Sequence, residues 1–147
     1  DLLKLTGNSI SVVIGGVTGP IFGMFFSEMG QVIDPGKEEV DINDLYLMFS
    51  QSLDKIMKVG GAKTGDKTMV DALEPAVKVL KEAKENGSSI KDAFLAMIAA
   101  SKAGAESTKN MVATKGRARY SGDRSLGYED AGANTVYLII KAMYESI

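Results

Sequence analysis

The chain has 147 residues, 45% hydrophobic and 24% charged, with a net charge of -2, and these ordinary values predict one globular domain spanning residues 1–147. The slightly acidic balance argues against a nucleic-acid partner, and the lack of an apolar run of about 20 residues argues against a membrane span. Cysteine and histidine are both absent, which excludes disulfides and thiolate metal sites, favours a cytoplasmic protein, and leaves chemistry to carboxylates, lysines, hydroxyls or a bound cation.

Apolar residues recur at intervals of three and four in several segments, which predicts amphipathic helices. Asp41 and Ser89 are placed to cap two of these helices, and Gly60 lies just past the end of the first of the two. Pro75 either kinks its helix or marks the true first turn. The predicted helices are 20–33, 42–57, 69–84, 90–105 with an extension towards Met111, and 133–147.

The run SISVVI at residues 9–14 is the one strand-like stretch, and its pattern alone does not distinguish a strand from a buried helix segment. A parallel sheet needs several such runs, so the expected fold is all-α, a bundle of about five or six antiparallel helices. The chain opens at Asp1 without an initiator Met, directly in patterned sequence. We therefore expect a fragment that is incomplete at its N-terminus.

The first unusual loop is GGVTGP at residues 15–20. Its glycines permit positive φ, Thr18 or Gly19 can act as the N-cap, and Pro20 suits the first helical turn. Such a loop leaves unpaired N–H groups at the positive end of a helix dipole, where phosphate binds well. The alternative is an ordinary glycine turn.

The second loop lies in KVGGAKTGDKTMVD, residues 58–71, which is close to the P-loop pattern G-x-x-x-x-G-K-[ST]. Asp66 is an extra residue before the lysine, and a helix rather than a strand precedes the loop, so a true P-loop is not expected. The glycines and Thr68 still suit a donor row at a helix N-terminus. Lys63 and Lys67 either neutralise phosphate charge or are exposed and solvated.

The third loop, ATKGRARYSGDRSLGYEDAGA at 113–133, is long for a connection between helices, and such loops are usually functional or disordered. Arg117, Arg119 and Tyr120 could bind nucleotide phosphates and stack on a base, or contact an RNA backbone. The acidic composition argues against RNA. Together the three loops are compatible with one phosphorylated ligand.

The blocks GGVTGPIFGMFF, GDKTMVD and KGRARYSGDRSLGYEDAGA, in this order, resemble the nucleotide-binding L subunit of dihydroxyacetone kinase, or the equivalent C-terminal domain of the ATP-dependent enzyme. The resemblance covers essentially all of the chain. It implies a barrel of antiparallel helices that holds ADP or ATP and Mg²⁺ at one end, and it assigns SISVVI to the end of a helix.

The resemblance also implies the residues that contact the nucleotide, with the first loop over the phosphates and no catalytic side chain in this chain. The family usually has D-P-G where this sequence has Asp130-Ala131-Gly132, which should loosen that turn slightly. The implied nucleotide-binding residues are Gly15, Gly16, Val17, Thr18, Gly60, Thr68, Met69, Arg117, Asp130, Ala131 and Gly132.

The family's metal motif, G-D-x-D-H-G, is absent from this sequence. We expect the Mg²⁺ ligands on a missing N-terminal segment of roughly two helices, and none within this chain. Because phosphoryl transfer depends largely on positioning and on cations, the chain by itself is expected to bind nucleotide weakly and not to catalyse transfer.

The implied partner is a separate subunit that holds a short ketose. In one branch of the family a phosphohistidine protein of the phosphotransferase system rephosphorylates bound ADP, and in the other branch ATP exchanges freely. Self-association is compatible with the sequence. The alternatives are the related domain of fatty-acid kinases, which the R-A-x-Y-x-G-x-R-S core argues against, and a non-catalytic module that reports its nucleotide state to a transcription regulator.

Overall fold

The computed structural model describes residues 2–147, and this part of the chain is helical without β-strands. The expected all-α fold is confirmed, and the run SISVVI lies at the end of the first helix, as the resemblance implied. No helix within 2–147 combines the length and the apolar character that a membrane span requires. The helices are α1 (Leu2–Val13), α2 (Thr18–Gln31), α3 (Ile42–Gly60), α4 (Val70–Glu85), α5 (Ile90–Ser107) and α6 (Ala131–Glu145), with 3₁₀ segments at Thr108–Asn110 and Arg117–Ser125.

The chain forms two compact units, the first ending at Gly61 and the second comprising Ala62–Ile147. The first unit contains α1 to α3, and α2 packs against both of the other helices. The second unit contains α4 to α6, and α5 packs against both α4 and α6. The organisation of the chain as a single domain stays a prediction.

Helices α1 and α2 approach each other through glycines. A Cβ placed on Gly7 would lie 2.5 Å from the Gly23 carbonyl oxygen, and one on Gly23 would lie 2.7 Å from the Gly7 carbonyl oxygen. Other side chains of α1 lie outside this close contact, and Leu5, Val12 and Val13 are exposed.

The core of the first unit lies between α2 and α3. Phe25 and Phe49 are completely buried, with their rings edge to face at 5.9 Å between centroids. The buried Ser52 hydroxyl donates to the Phe25 carbonyl at 3.0 Å, which satisfies a polar group inside the apolar contact. These contacts join the middle of α3 to the middle of α2.

Both predicted acidic and hydroxyl caps are confirmed. The Asp41 carboxylate accepts the N–H groups of Asn43 and Asp44 at 2.8 and 3.0 Å at the start of α3, and the Ser89 hydroxyl accepts the Asp92 N–H at 3.1 Å at the start of α5. The other end of α3 differs from the prediction. Gly60 is still helical, and the next glycine takes the left-handed conformation, with φ 61°, that ends the helix.

The start of α2 also corrects a prediction. Thr18 and Gly19 were both candidate N-caps, but Thr18 is already helical and Val17 occupies the capping position. Val17 has helical dihedral angles, its carbonyl accepts the Ile21 N–H at 3.2 Å, and no side chain caps the helix. The turn of the chain is completed earlier, at Gly16.

Pro75 lies inside α4 rather than in its first turn. Since proline has no N–H, the Asp71 carbonyl lacks its usual helical partner. Helix α5 approaches this carbonyl closely, because a Cβ placed on Gly104 would lie only 2.2 Å from the Asp71 oxygen. The proline and the glycine therefore define where α4 and α5 meet.

The connection from α5 to α6 contains two ordered 3₁₀ segments. Helix α5 continues directly into Thr108–Asn110, and residues 117–125 form a 3₁₀ segment that breaks at Gly122, with φ 52°. The long connection is thus a folded segment and not an unstructured loop.

Candidate functional site

The turn between α1 and α2 presents a row of backbone donors. Gly16 has a φ of 74°, which turns the chain before α2. Within residues 2–147, the N–H groups of Gly15, Gly16, Val17, Thr18 and Gly19 donate no hydrogen bond to the protein. A Cβ on Gly15 would meet no atom within 4 Å, so the turn is open on that side.

Gly60 belongs to the same end of the first unit. A Cβ placed on it would lie 3.9 Å from Cδ1 of Ile21, in the first turn of α2. No acidic residue lies in that first turn, so the positive end of the α2 dipole has no local counter-charge. The first unit therefore places Gly60 beside the first turn of α2.

In the second unit, the loop before α4 is held by the buried carboxylate of Asp71. Its two oxygens accept the N–H groups of Gly65 and Thr68 at 2.6 and 2.7 Å, and the Thr68 hydroxyl accepts the Val70 N–H at 3.2 Å. A side chain from the first turn of α4 thus fixes the loop that leads into that helix. Two of the N–H groups expected to face a ligand are used internally.

The sequence predicted that Lys67 either neutralises phosphate charge or is exposed to solvent, and the structure shows that both alternatives are wrong. The side chain is only 4% exposed, and its ammonium donates to the carbonyl oxygens of Met111 at 3.2 Å, Tyr128 at 2.7 Å, and Ser125. Lys63 is exposed, as one of the two readings expected. The two lysines of the loop therefore have different environments.

Asp66, the residue that disrupts the P-loop pattern, joins the second loop to the third. Its carboxylate accepts the Lys63 N–H at 2.9 Å and the Thr114 hydroxyl at 2.7 Å, and its carbonyl accepts the Thr114 N–H at 3.3 Å. The bond from the Lys63 N–H, followed by that from Thr114, lowers the pKa of the Asp66 carboxyl.

The Asp130-Ala131-Gly132 turn begins α6 and lies beside the start of α4. The Asp130 carboxylate accepts the Ala133 N–H at 2.8 Å, and the Asp130 N–H donates to the Thr108 hydroxyl at 2.8 Å. A Cβ on Gly132 would lie 3.5 Å from both N and Cβ of Met69. Burial raises the pKa of the Asp130 carboxyl.

Arg117 takes no part in the hydrogen bonds described above for this part of the second unit. It is exposed, begins the 3₁₀ segment after Gly116, and makes no ion pair or hydrogen bond through its guanidinium within the described residues. Arg119, in contrast, lies over the ring of Tyr120 at 4.7 Å. Arg117 is therefore a free cation beside an ordered loop.

The structure brings the predicted residues together in two groups. Gly15, Gly16, Val17, Thr18 and Gly60 lie at one end of the first unit. Thr68 and Met69 lie beside Asp130, Ala131 and Gly132 in the second unit. Sequence reasoning missed the supporting roles of Lys67, Asp71, Thr108 and Thr114. The acidic residues of GDKTMVD partly indicated such roles, because a carboxylate near the start of a helix often accepts backbone N–H groups there.

The acidic side chains of the described residues are dispersed with respect to metal binding. Across residues 2–147, no group of three or more acidic, histidine or cysteine side chains could hold a metal ion. No described residue is therefore assigned as a Mg²⁺ ligand.

Residues 1–145 match the family model described as the DAK2 domain. The chain belongs to the DAK2 domain family. This DAK2 domain is 36% identical over 142 residues to the ADP-binding subunit DhaL of the PEP-dependent dihydroxyacetone kinase of Escherichia coli, covering 97% of this chain and 67% of that subunit. It is also 36% identical to the ADP-binding subunit DhaL of PEP-dependent dihydroxyacetone kinase 2 of Listeria innocua, over 99% of this chain and 67% of that subunit.

A solved structure shares the fold of this DAK2 domain. The dihydroxyacetone kinase of Citrobacter freundii, in complex with AMP-PNP and Mg²⁺, superposes with a TM-score of 0.64 at 32% identity, covering 99% of this chain and 23% of that kinase. The resemblance to the nucleotide-binding subunit of dihydroxyacetone kinase is thus confirmed.

Proposed function

We propose that this DAK2 domain is the nucleotide-carrying part of a dihydroxyacetone-type kinase. It binds ADP or ATP, and the phosphoryl group passes from the nucleotide to a short ketose held on a separate substrate-binding subunit. The relatives support this proposal, since they are ADP-binding subunits of such kinases. The observation that carries it in this chain is the row of unpaired N–H groups at the start of α2.

The phosphates are proposed to bind at that row. The exposed residues 15–18 offer N–H donors without a partner among the described residues, and the α2 dipole adds positive potential at the same place. Gly16 supports this geometry, because its left-handed backbone, with φ 74°, would be strained for a residue with a Cβ. In the first unit, Gly15, Gly16, Val17, Thr18 and Gly60 are the proposed nucleotide contacts.

In the second unit, the proposed contacts are Arg117 and the two adjoining helix starts. Among residues 2–147, Arg117 has no partner to give up, so its guanidinium can form charge-assisted hydrogen bonds with phosphate oxygens. The adjoining helix starts supply Thr68, Met69, Asp130, Ala131 and Gly132. Their relative positions are fixed by the close approach of Gly132 to Met69.

Mg²⁺ is the proposed cofactor, and when bound it neutralises phosphate charge. Its ligands are expected outside residues 2–147, on the N-terminal segment that the resemblance implies. The proposed phosphoryl donor is either ATP or a phosphohistidine protein of the phosphotransferase system. A cytoplasmic location fits this set of partners.

Calorimetric titration with ADP, with and without Mg²⁺, tests the proposal. We expect Arg117→Ala to weaken ADP binding by about 1.5 to 3 kcal/mol, the range for hydrogen bonds to charged groups. Arg124→Ala is the matched control, because Arg124 is an exposed arginine of the same 3₁₀ segment. Absence of ADP binding by the wild-type chain under both conditions would refute the proposed function, and unchanged affinity in folded Arg117→Ala would refute the role of that residue.

A further inference from the structure

The ammonium of Lys67 is coordinated like a small cation. Lysine has three N–H donors, and Lys67 directs them at three backbone carbonyls, those of Met111, Ser125 and Tyr128. These acceptors lie 44, 58 and 61 residues further along the chain. One buried ammonium therefore binds the backbone at three separate positions of the segment 111–128.

The backbone of Lys67 adopts a strained conformation in this arrangement. Its φ is 59°, and among the described residues it is the one non-glycine residue with a positive φ. A residue with a Cβ is strained when its φ is positive. Such strain persists only where surrounding contacts hold the residue in that conformation. The three bonds to carbonyls are the contacts that do so here.

The positions held by Lys67 adjoin the residues proposed to bind nucleotide. Thr68 and Met69 follow Lys67 directly in the chain. Arg117 lies between two of the coordinated carbonyls, and Asp130 comes two residues after the third. Displacing the ammonium would therefore remove the bonds by which the loop before α4 holds the carbonyls of Met111, Ser125 and Tyr128.

We propose that Lys67 is a positioning residue whose ammonium serves as a built-in monovalent cation, closing the segment 111–128 on the loop that precedes α4. The closed arrangement is the one that binds nucleotide, and in this respect the inference rests on the proposed function. The ammonium of Lys67 need not contact the ligand, because its three donors are used by carbonyl oxygens.

The proposal predicts chemical rescue. Lys67→Ala keeps Cβ and removes Cγ, Cδ, Cε and Nζ, which correspond to propylammonium. Three carbonyl oxygens would then face a cavity without a donor, so the segment should open. Added propylammonium should refill the cavity and close it. Tetramethylammonium is the matched control, because it carries the same charge but has no N–H donor.

Two readouts on the full chain test the proposal, namely hydrogen–deuterium exchange of the amides in 111–130 and ADP affinity by calorimetry. Lys67→Ala should speed exchange there and weaken ADP binding, each by about tenfold or more. Propylammonium should reverse much of both effects, and tetramethylammonium should reverse neither. Lys78→Ala, which removes an exposed lysine of α4, should resemble wild type.

Unchanged exchange in Lys67→Ala, or equal rescue by both ammonium ions, would overturn the closing role. Rescue of exchange without rescue of ADP affinity would overturn the link to nucleotide binding. If the wild-type chain does not bind ADP, that link is refuted together with the proposed function, while exchange still decides the closing role. If Lys67→Ala fails to fold, Lys67→Gly with butylammonium is the second variant, because glycine accepts a φ of 59° without strain.

Discussion

The Thr114 hydroxyl donates a 2.7 Å hydrogen bond to the Asp66 carboxylate and joins two loops that are 48 residues apart in sequence. The same carboxylate accepts the Lys63 N–H at 2.9 Å. Asp66 is the residue that makes the loop one position too long for a P-loop. Its position is explained by this bridge, which requires an acceptor that can serve both loops.

The stabilising contribution of Asp66 should be lost in acid. Its pKa lies below the ordinary value of 3.8, so its stabilising contribution is present above pH 3.8 and is lost as pH falls through the folded-state pKa. Asp66→Asn should be less stable than wild type at pH 7, and the difference should shrink on acidification. Urea unfolding of both proteins, from neutral pH down to well below pH 3.8, where the contribution is lost, measures this difference. A gap that stays constant with pH would contradict the assignment.

Asp130 should have the opposite effect on stability as the pH falls. Burial raises its pKa above 3.8, so its ionised form carries a cost in the folded state at neutral pH, and that cost is relieved as pH falls through the folded-state pKa. The side chain introduced by Asp130→Asn would not titrate and can still accept the N–H of Ala133. We expect wild type to gain stability relative to Asp130→Asn on acidification, in the same urea series. A relative loss would show that hydrogen bonding, and not burial, dominates this carboxyl.

Asp71→Asn should destabilise the second unit by about 1.5 to 3 kcal/mol, because hydrogen bonds to a buried charged acceptor are lost. The carboxylate is 2% exposed and accepts two N–H groups, one on each oxygen. An asparagine has one acceptor oxygen, and its amide would face the second donor. Urea unfolding at neutral pH measures the change. Asp54→Asn is the control, an exposed carboxylate in α3, and an equal effect in the two variants would contradict the prediction.

Gly104→Ala should destabilise the packing of α5 on α4 by about 1 to 3 kcal/mol, the range for overpacking a close contact. The new methyl group would lie 2.2 Å from the Asp71 carbonyl oxygen and 2.9 Å from the Ala72 Cα, so backbone atoms must separate. Gly36→Ala is the matched control, since the nearest atom to its Cβ is 3.5 Å away. Thermal unfolding of the two variants gives the comparison, and a Gly104→Ala protein as stable as Gly36→Ala would rule out the close contact.

The sequence predicted those features that depend on neighbouring residues. The caps at Asp41 and Ser89 were recognisable because a cap and the N–H it accepts are two or three residues apart. The run at 9–14 was ambiguous, because a short β-branched segment fits a strand and a buried helix equally well. The resemblance to a known family resolved that ambiguity.

Lys67 shows what could not be predicted. In the sequence it is one lysine in a polar loop, and nothing nearby indicates burial. Its partners are backbone carbonyls, which every residue possesses, at positions 44 to 61 residues away. Neither residue type nor spacing marks such acceptors, so only the folded chain reveals them. Likewise, the sequence could not show that Gly104 packs against the Asp71 carbonyl, because the two residues are brought together only by the fold.

An ion held by carbonyl oxygens is normally drawn from the medium and can be lost to it. The ammonium of Lys67 is attached to the chain, so its local concentration at the three carbonyls is fixed by four methylene groups and does not depend on the solution. Under the proposed closing role of Lys67, the segment 111–128 should need neither potassium nor sodium to keep its shape. Replacing one of these ions by the other in the buffer should leave unchanged every property that depends on this contact.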